Sequence, residues 1–90
     1  MPGLAAGAIK NETMINELDS VVLRHDLPEY GLVAGDVGAV VHCYSEGDAY
    51  EVEFVTASGK TIAVATLTAR DVRPLRGQEI LHVRELIEAA

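Results

Sequence analysis

Three histidines and one cysteine are the side chains of this chain best suited to metal binding or nucleophilic catalysis. His25, His42 and His82 have no pair at the i, i+4 or short-loop spacing of a metal motif. His42 and Cys43 are adjacent, so on a strand their side chains point to opposite faces and cannot pair as base and nucleophile. We therefore predict no metal, no cofactor and no enzyme activity, with surface histidines and Cys43 in the core.

The carboxylates of Glu51 and Glu53 are the second candidate for chemistry, because they share one face of a predicted strand. Strand geometry separates them by about 7 Å, a distance that two catalytic carboxylates can use. A solvated acidic face is the better interpretation of such a pair on an exposed strand. We expect this face to be presented to a protein partner.

The glycines of GLVAGDVG resemble a phosphate-binding loop, but no helix follows them and no lysine accompanies them. They are better explained as positions at which the backbone turns or approaches another part of the chain. Gly35 suits a turn, and Gly38 suits a strand start where another backbone passes closely.

Charge narrows the classes of partner. The chain has 90 residues and a formal net charge of −7. Residues 14–75 contain ten acidic and four basic side chains, a net of −6. Nucleic-acid binding depends on lysines and arginines that displace counterions at phosphates, so it is disfavoured here. A basic protein partner fits this charge better.

Alternating apolar residues predict a small all-β domain. Tyr50, Val52 and Phe54 share one strand face, which indicates a sheet with one buried side. A long loop over residues 27–37, with Tyr30 and Leu32 packed inward, and two tight turns favour an SH3-like five-stranded barrel over an OB-like barrel. The predicted strands cover residues 20–23, 37–44, 49–55, 61–67 and 72–74, with a helical turn at 68–71 before the last.

The C-terminal residues change period, because Ile80, Val83, Leu86 and Ile87 recur at helical spacing. The pattern predicts an amphipathic helix over 76–90, after a flexible leader (1–13) and the barrel domain (14–75). At roughly three turns this helix is too short to be stable alone. Its apolar stripe packs either on its own barrel or on another chain. A homodimer, in which the other chain is a second copy, is one of these alternatives. The candidate partner-binding residues are Glu51, Glu53, Ile80, Val83, Leu86 and Ile87.

Cellular location is constrained by what the sequence contains. A single cysteine allows no internal disulfide, and no segment has the order of a secretory signal. No apolar run approaches the roughly 20 residues that cross a bilayer. We expect a cytoplasmic protein without a membrane span.

Three segments carry a resemblance to a known family: LDSVVLRHDLPEYGLVAGDVGAVVHCY, AYEVEFV and TLTARDVRPL. In this order they resemble the bacterial domain-of-unknown-function family 4926. The resemblance implies a small SH3-like barrel in a bacterial cytoplasm, and it transfers no functional residue. Members look like accessory proteins encoded near toxin-like genes, which implies an antitoxin-like or immunity-like role.

The sequence therefore indicates three candidate functions. The first is an acidic protein-interaction module that binds a basic, toxin-like partner. The second is a KOW-like module for nucleic acid or the ribosome, since GDVGAVV is similar to the glycine-valine core of such domains. The third is a small metal carrier or enzyme accessory domain.

Overall fold

Five antiparallel strands make up the domain in the computed structural model, which describes residues 14–44 and 48–86. The prediction of a mainly β domain is confirmed, and the strands lie where alternation placed them. The predicted turn over 45–48 lies mostly outside the described residues, as does the leader (1–13). The elements are β1 (Ser20–Leu23), a 3₁₀ turn (Pro28–Tyr30), β2 (Val37–Cys43), β3 (Tyr50–Val55), β4 (Thr61–Leu67) and β5 (Val72–Pro74).

One sheet contains all five strands, in the order β4-β3-β2-β1-β5. Consecutive strands β1 to β4 form a meander, and β5 returns to pair with β1, where Val22 lies opposite Arg73. Strands β4 and β5 are therefore the two edges. The registers shift between Val40 and His42 and again between Phe54 and Val55, as at β-bulges, which bend a strand and increase its twist.

The core is mainly aliphatic, as expected from so few aromatic residues. The four largest side chains with almost no exposed surface are all valines: Val21, Val40, Val52 and Val72. Tyr50, Val52 and Phe54 are buried on one face of β3, which confirms the period-two prediction. On β4 the buried face is formed by Ala65 and Leu67, while Val64, on the opposite face, is half exposed.

Gly38 lies on β2 beside its paired strand β3, where a larger side chain has no room. A Cβ atom there would lie 2.6 Å from Val52 Cγ1 and 2.8 Å from the Phe54 ring. Such distances are well inside van der Waals contact, so any larger residue would displace the core. The sequence prediction of a close approach at this glycine is confirmed.

The loop between β1 and β2 is fixed by its own hydrogen bonds. Leu27 and Leu32 form a β-bridge and are both buried. Asp26 Oδ1 accepts the Ala34 amide at 2.8 Å, and Asp36 Oδ2 accepts the Val33 amide at 2.9 Å. The inward packing predicted for Leu32 is confirmed. The same prediction for Tyr30 is wrong, because this side chain is exposed at the end of the 3₁₀ turn.

The predicted C-terminal helix is wrong for residues 76–86, which contain a turn at 77–78 and then an irregular, non-helical segment. The physical reason is that Glu79 and Arg84 bind Arg73 and Asp36, which lie outside the tail. A free-standing helix of three turns is too weak to compete with these contacts. Residues 87–90, including Ile87, lie outside the described residues. We call residues 77–86 the tail.

Candidate functional site

The tail and the domain together line an open apolar cleft of about 460 Å³. The domain contributes the loop after β1, the start of β2, the end of β3 and the start of β4. The tail contributes residues 81–84 and Leu86. The apolar side chains that line the cleft are Leu32, Val37, Phe54, Val55, Ala57, Ile62, Leu81, Val83 and Leu86.

Arg84 anchors the tail to the loop after β1. Its Nε donates to Asp36 Oδ1 at 2.8 Å, and its Nη2 donates to Asp36 Oδ2 at 2.6 Å. The same Nη2 also donates to the Gly31 carbonyl at 3.1 Å. Two parallel bonds between a guanidinium and a carboxylate are the geometry that arginine forms and lysine cannot. The contact therefore has a defined direction as well as opposite charges.

Asp36 is ionised more readily than an ordinary aspartate. Partial burial opposes its ionisation, but hydrogen bonds from the Arg84 guanidinium and the Val33 amide outweigh burial, so the pKa of Asp36 is lowered. The hydrogen bond to Asp36 is in turn the largest influence that raises the pKa of Arg84, and the nearby charge of Asp26 adds to it. Two carboxylates thus act on this guanidinium.

A second anchor holds the start of the tail. Arg73 on β5 donates from Nη1 and Nη2 to the two carboxylate oxygens of Glu79, at 2.9 and 2.6 Å. Glu79 also accepts the Arg76 amide at 2.7 Å. The Arg73 guanidinium is the main cause that lowers the pKa of Glu79 to about 2. The tail is therefore fixed by one ion pair near each end.

Between these anchors the tail buries little apolar surface. Ile80 is 93% exposed, Leu81 65% and Val83 88%, whereas Leu86 is half-buried. Within the described ranges 14–44 and 48–86, no backbone hydrogen bond joins residues 80–86 to the sheet. Of the predicted partner-binding residues, Ile80 and Val83 are therefore exposed to solvent. Val83 and Leu86 also line the cleft.

The predicted acidic pair lies on β3, on the face opposite the core. Thr61 Oγ1 donates to Glu53 Oε2 at 2.6 Å, and Thr66 donates to Glu51 from the same strand, β4. Glu53 also borders a shallow depression of about 210 Å³ beside Val37 and Val55, which themselves line the cleft. The structure therefore places Glu53 near the tail side of the sheet and Glu51 further along the strand.

Asp36 and Arg84 were not predicted as site residues, although they form the centre of this arrangement. In the sequence they are an ordinary turn aspartate and one charge of a supposed helix, separated by 48 positions. The one usable signal is Asp36 itself, which follows a glycine in a loop of turn-forming residues. Its partner cannot be found from local pattern.

The histidines are exposed, as expected from their spacing. His25 Nε2 contacts Asp71 Oδ1 at 2.8 Å, and this hydrogen bond is the main cause that raises the pKa of His25. His42 packs edge-on against Tyr44. In the part of the chain that the structure describes, no three histidine, cysteine or acidic side chains cluster as metal ligands. That part also has no helix with the length and apolar character needed to cross a membrane.

Comparison with known proteins adds one finding. A family model described as "Domain of unknown function (DUF4926)" matches residues 17–74. No curated protein and no solved structure matches the chain. The match covers all five strands and the loop that contains Asp36, and it ends before the tail.

Proposed function

The chain belongs to the DUF4926 family, and from that premise we propose that it is an acidic protein-interaction module that binds a basic protein partner. The surface that binds the partner is the tail together with the cleft beneath it. The single observation that carries this proposal is the tail itself, which holds large apolar side chains in solvent next to an apolar cleft.

Apolar exposure of this kind favours binding to another protein. Scattered exposed apolar residues are normal on a protein surface, whereas several in one segment beside a cleft are typical of an interaction site. Ile80, Leu81 and Val83 lie within four consecutive residues. Their partial or full burial by a partner would supply the affinity that the ion pairs alone cannot.

Charge supports a basic partner. The net charge of −7 and the acidic face at Glu51 and Glu53 would attract a positively charged surface from a distance and speed its association. The finer form of the proposal is that this partner is toxin-like and that binding neutralises it, as an antitoxin or immunity protein does. The family match itself describes no function.

The nucleic-acid alternative has less support because two of the four basic residues in residues 14–75 have other roles. Arg24 Nε donates to the Ala69 and Val72 carbonyls at 3.0 and 3.1 Å. The Arg73 guanidinium donates two hydrogen bonds to the Glu79 carboxylate. A phosphate-binding patch would need these guanidinium groups to leave their partners within an acidic domain.

For the fold, the finer assignment that we propose is the SH3-like barrel. The strand order, the long loop after β1 and the turn at 69–71 before β5 support it. Closure would require the edge strands β4 and β5 to approach one another. Nuclear Overhauser contacts between these two strands in solution would test that step.

The function is tested by affinity purification of the tagged full chain from the organism that encodes it, followed by reconstitution with the purified partner. We expect a basic protein that associates rapidly at low salt and several-fold more slowly as the salt concentration rises. An association rate that is indifferent to salt would contradict the electrostatic part. The absence of any protein that binds again after purification would contradict the whole proposal.

Two variants locate the surface. The pair Ile80→Ser and Val83→Ser removes the displayed apolar groups without touching the core, and we expect it to abolish binding. Glu51→Gln with Glu53→Gln keeps side-chain size and removes two charges, so it should slow association and leave the dissociation rate nearly unchanged. Equal binding by the unmodified chain and both double variants would exclude the tail as the binding site.

A further inference from the structure

We infer that Asp36 and the Gly31 carbonyl form an arginine receptor, which binds an extended basic segment of the partner and which the chain's own tail occupies in the free protein. This inference rests on the proposed function and names the part of the partner that is recognised. The segment carries an aliphatic residue two positions after its arginine. It replaces Arg84 in the receptor when it binds, and the exposed Ile80 and Val83 of the released tail contact the rest of the partner.

The receptor is built into a fixed loop. Asp36 is held by the Val33 amide, and its side chain is only 17% exposed while paired with Arg84. Gly31 has a left-handed backbone (φ 72°) that glycine adopts without strain. Asp26, held by the Ala34 amide, adds a second negative charge. The acceptors are thus positioned before any ligand arrives, which lowers the cost of binding.

The tail shows what kind of segment the receptor accepts. Residues 81–86 run Leu-His-Val-Arg-Glu-Leu, so aliphatic side chains lie one residue before and two residues after the arginine. The guanidinium enters the receptor as a two-bond fork, and the aliphatic side chains line the adjoining cleft. The ligand is therefore a peptide of the pattern Arg-x-aliphatic, because Leu86 is half-buried whereas Val83 is 88% exposed.

The way in which the tail is attached allows it to be replaced. The Arg84 side chain is 35% exposed in its ion pair, and pairs that contact solvent add little to stability. Ile80 and Val83 are almost fully exposed, so these two side chains lose little burial when the tail detaches. A partner segment that buries more apolar surface can outcompete it, although the tail has the advantage of being tethered.

The experiment uses a fluorescent synthetic peptide with the sequence of residues 78–88, added to the full-length protein. Arg84→Ala in the protein weakens its own tail and frees the receptor. We expect this variant to bind the peptide about five- to tenfold more tightly than the unmodified chain, which must first release a tethered competitor. Equal affinity for the two proteins would overturn the inference.

Changes in the peptide test recognition without disturbing the protein. Replacing its arginine by lysine should weaken binding, because an ammonium cannot form the fork, and replacing it by alanine should abolish binding. Binding that is the same for all three peptides would overturn the receptor. Asp36→Asn in the Arg84→Ala protein should also abolish binding, with an unchanged circular dichroism spectrum as evidence that the domain is folded.

Three further outcomes are decisive. If the unmodified chain forms dimers that the added peptide dissociates, the receptor serves a second copy of the chain, and the inference of a partner segment is overturned. If the peptide binds as expected but no partner is recovered from cells, the receptor stands and the proposed function fails. If a partner binds but Arg84→Ala and Asp36→Asn leave its affinity unchanged, only the receptor fails.

Discussion

The sheet and the tail of this protein are held in place by different forces. The sheet has a closely packed core of buried valines and leucines, and its strands are joined by regular hydrogen bonds. The tail has exposed apolar side chains and is fixed by the Arg73–Glu79 and Arg84–Asp36 ion pairs. Burial removes apolar surface from water and is costly to undo, whereas ion pairs that are partly exposed to solvent contribute less to stability. The difference separates a stable scaffold from a replaceable segment.

The largest effect should come from the sheet. Leu23 is 2% exposed in β1, so Leu23→Ala removes buried groups and leaves a cavity. We expect a loss of about 2–5 kcal/mol in the free energy of unfolding, measured by urea denaturation. Leu81→Ala makes the same chemical change in the tail and should alter that free energy by less than about 0.5 kcal/mol. Similar losses in both variants would show that the tail is part of the core.

A smaller effect on stability, with a clear effect on motion, should follow from breaking a tail anchor. We expect Arg84→Ala to change the free energy of unfolding by less than about 1 kcal/mol. The NMR order parameters of residues 80–86 should fall below about 0.6, the range of flexible backbone. Arg70→Ala removes the same charge from an exposed turn and should leave the tail ordered. A tail that stays rigid without Arg84 would require another source of attachment.

The smallest effect should be the pH dependence of the His25–Asp71 pair. Because the pKa of folded His25 is raised, its contribution to stability is complete below the unfolded value of about 6.5 and is lost as the pH rises through the folded value. An NMR titration should show Asp71→Asn lowering the pKa of His25. Asp48→Asn, with the same charge change, should leave it unaltered. An unchanged titration in both variants would mean that the contact is absent in solution.

The strands could be predicted from sequence because their signal is local. Alternation in Tyr50–Val55 identifies a strand and its buried face without any knowledge of the neighbouring strands. Gly38 was also predictable, since a glycine inside a strand often marks a place where another part of the chain passes closely. The exposure of Tyr30 was not predictable, because an aromatic ring in a loop can point into the core or into solvent. Only the packed structure determines which.

The predicted C-terminal helix is wrong for a physical reason. Ile80, Val83 and Leu86 match a helical period, but over so few residues the pattern is weak evidence and a helix is marginal. Its actual conformation depends on Asp36 and Arg73, which come from other parts of the chain. The Arg84–Asp36 ion pair joins residues 48 positions apart and leaves no mark on the local pattern, so the centre of the candidate site could not be found from sequence.

The acidic pair has a consequence for the open edge of the sheet. Strand β4 ends the sheet, and an unpaired strand edge is a template on which a second molecule can extend the same sheet. Glu51 and Glu53 are hydrogen-bonded to Thr66 and Thr61 of that strand, so two identical edges would bring four carboxylates together. We expect their mutual repulsion to oppose the pairing of two such edges.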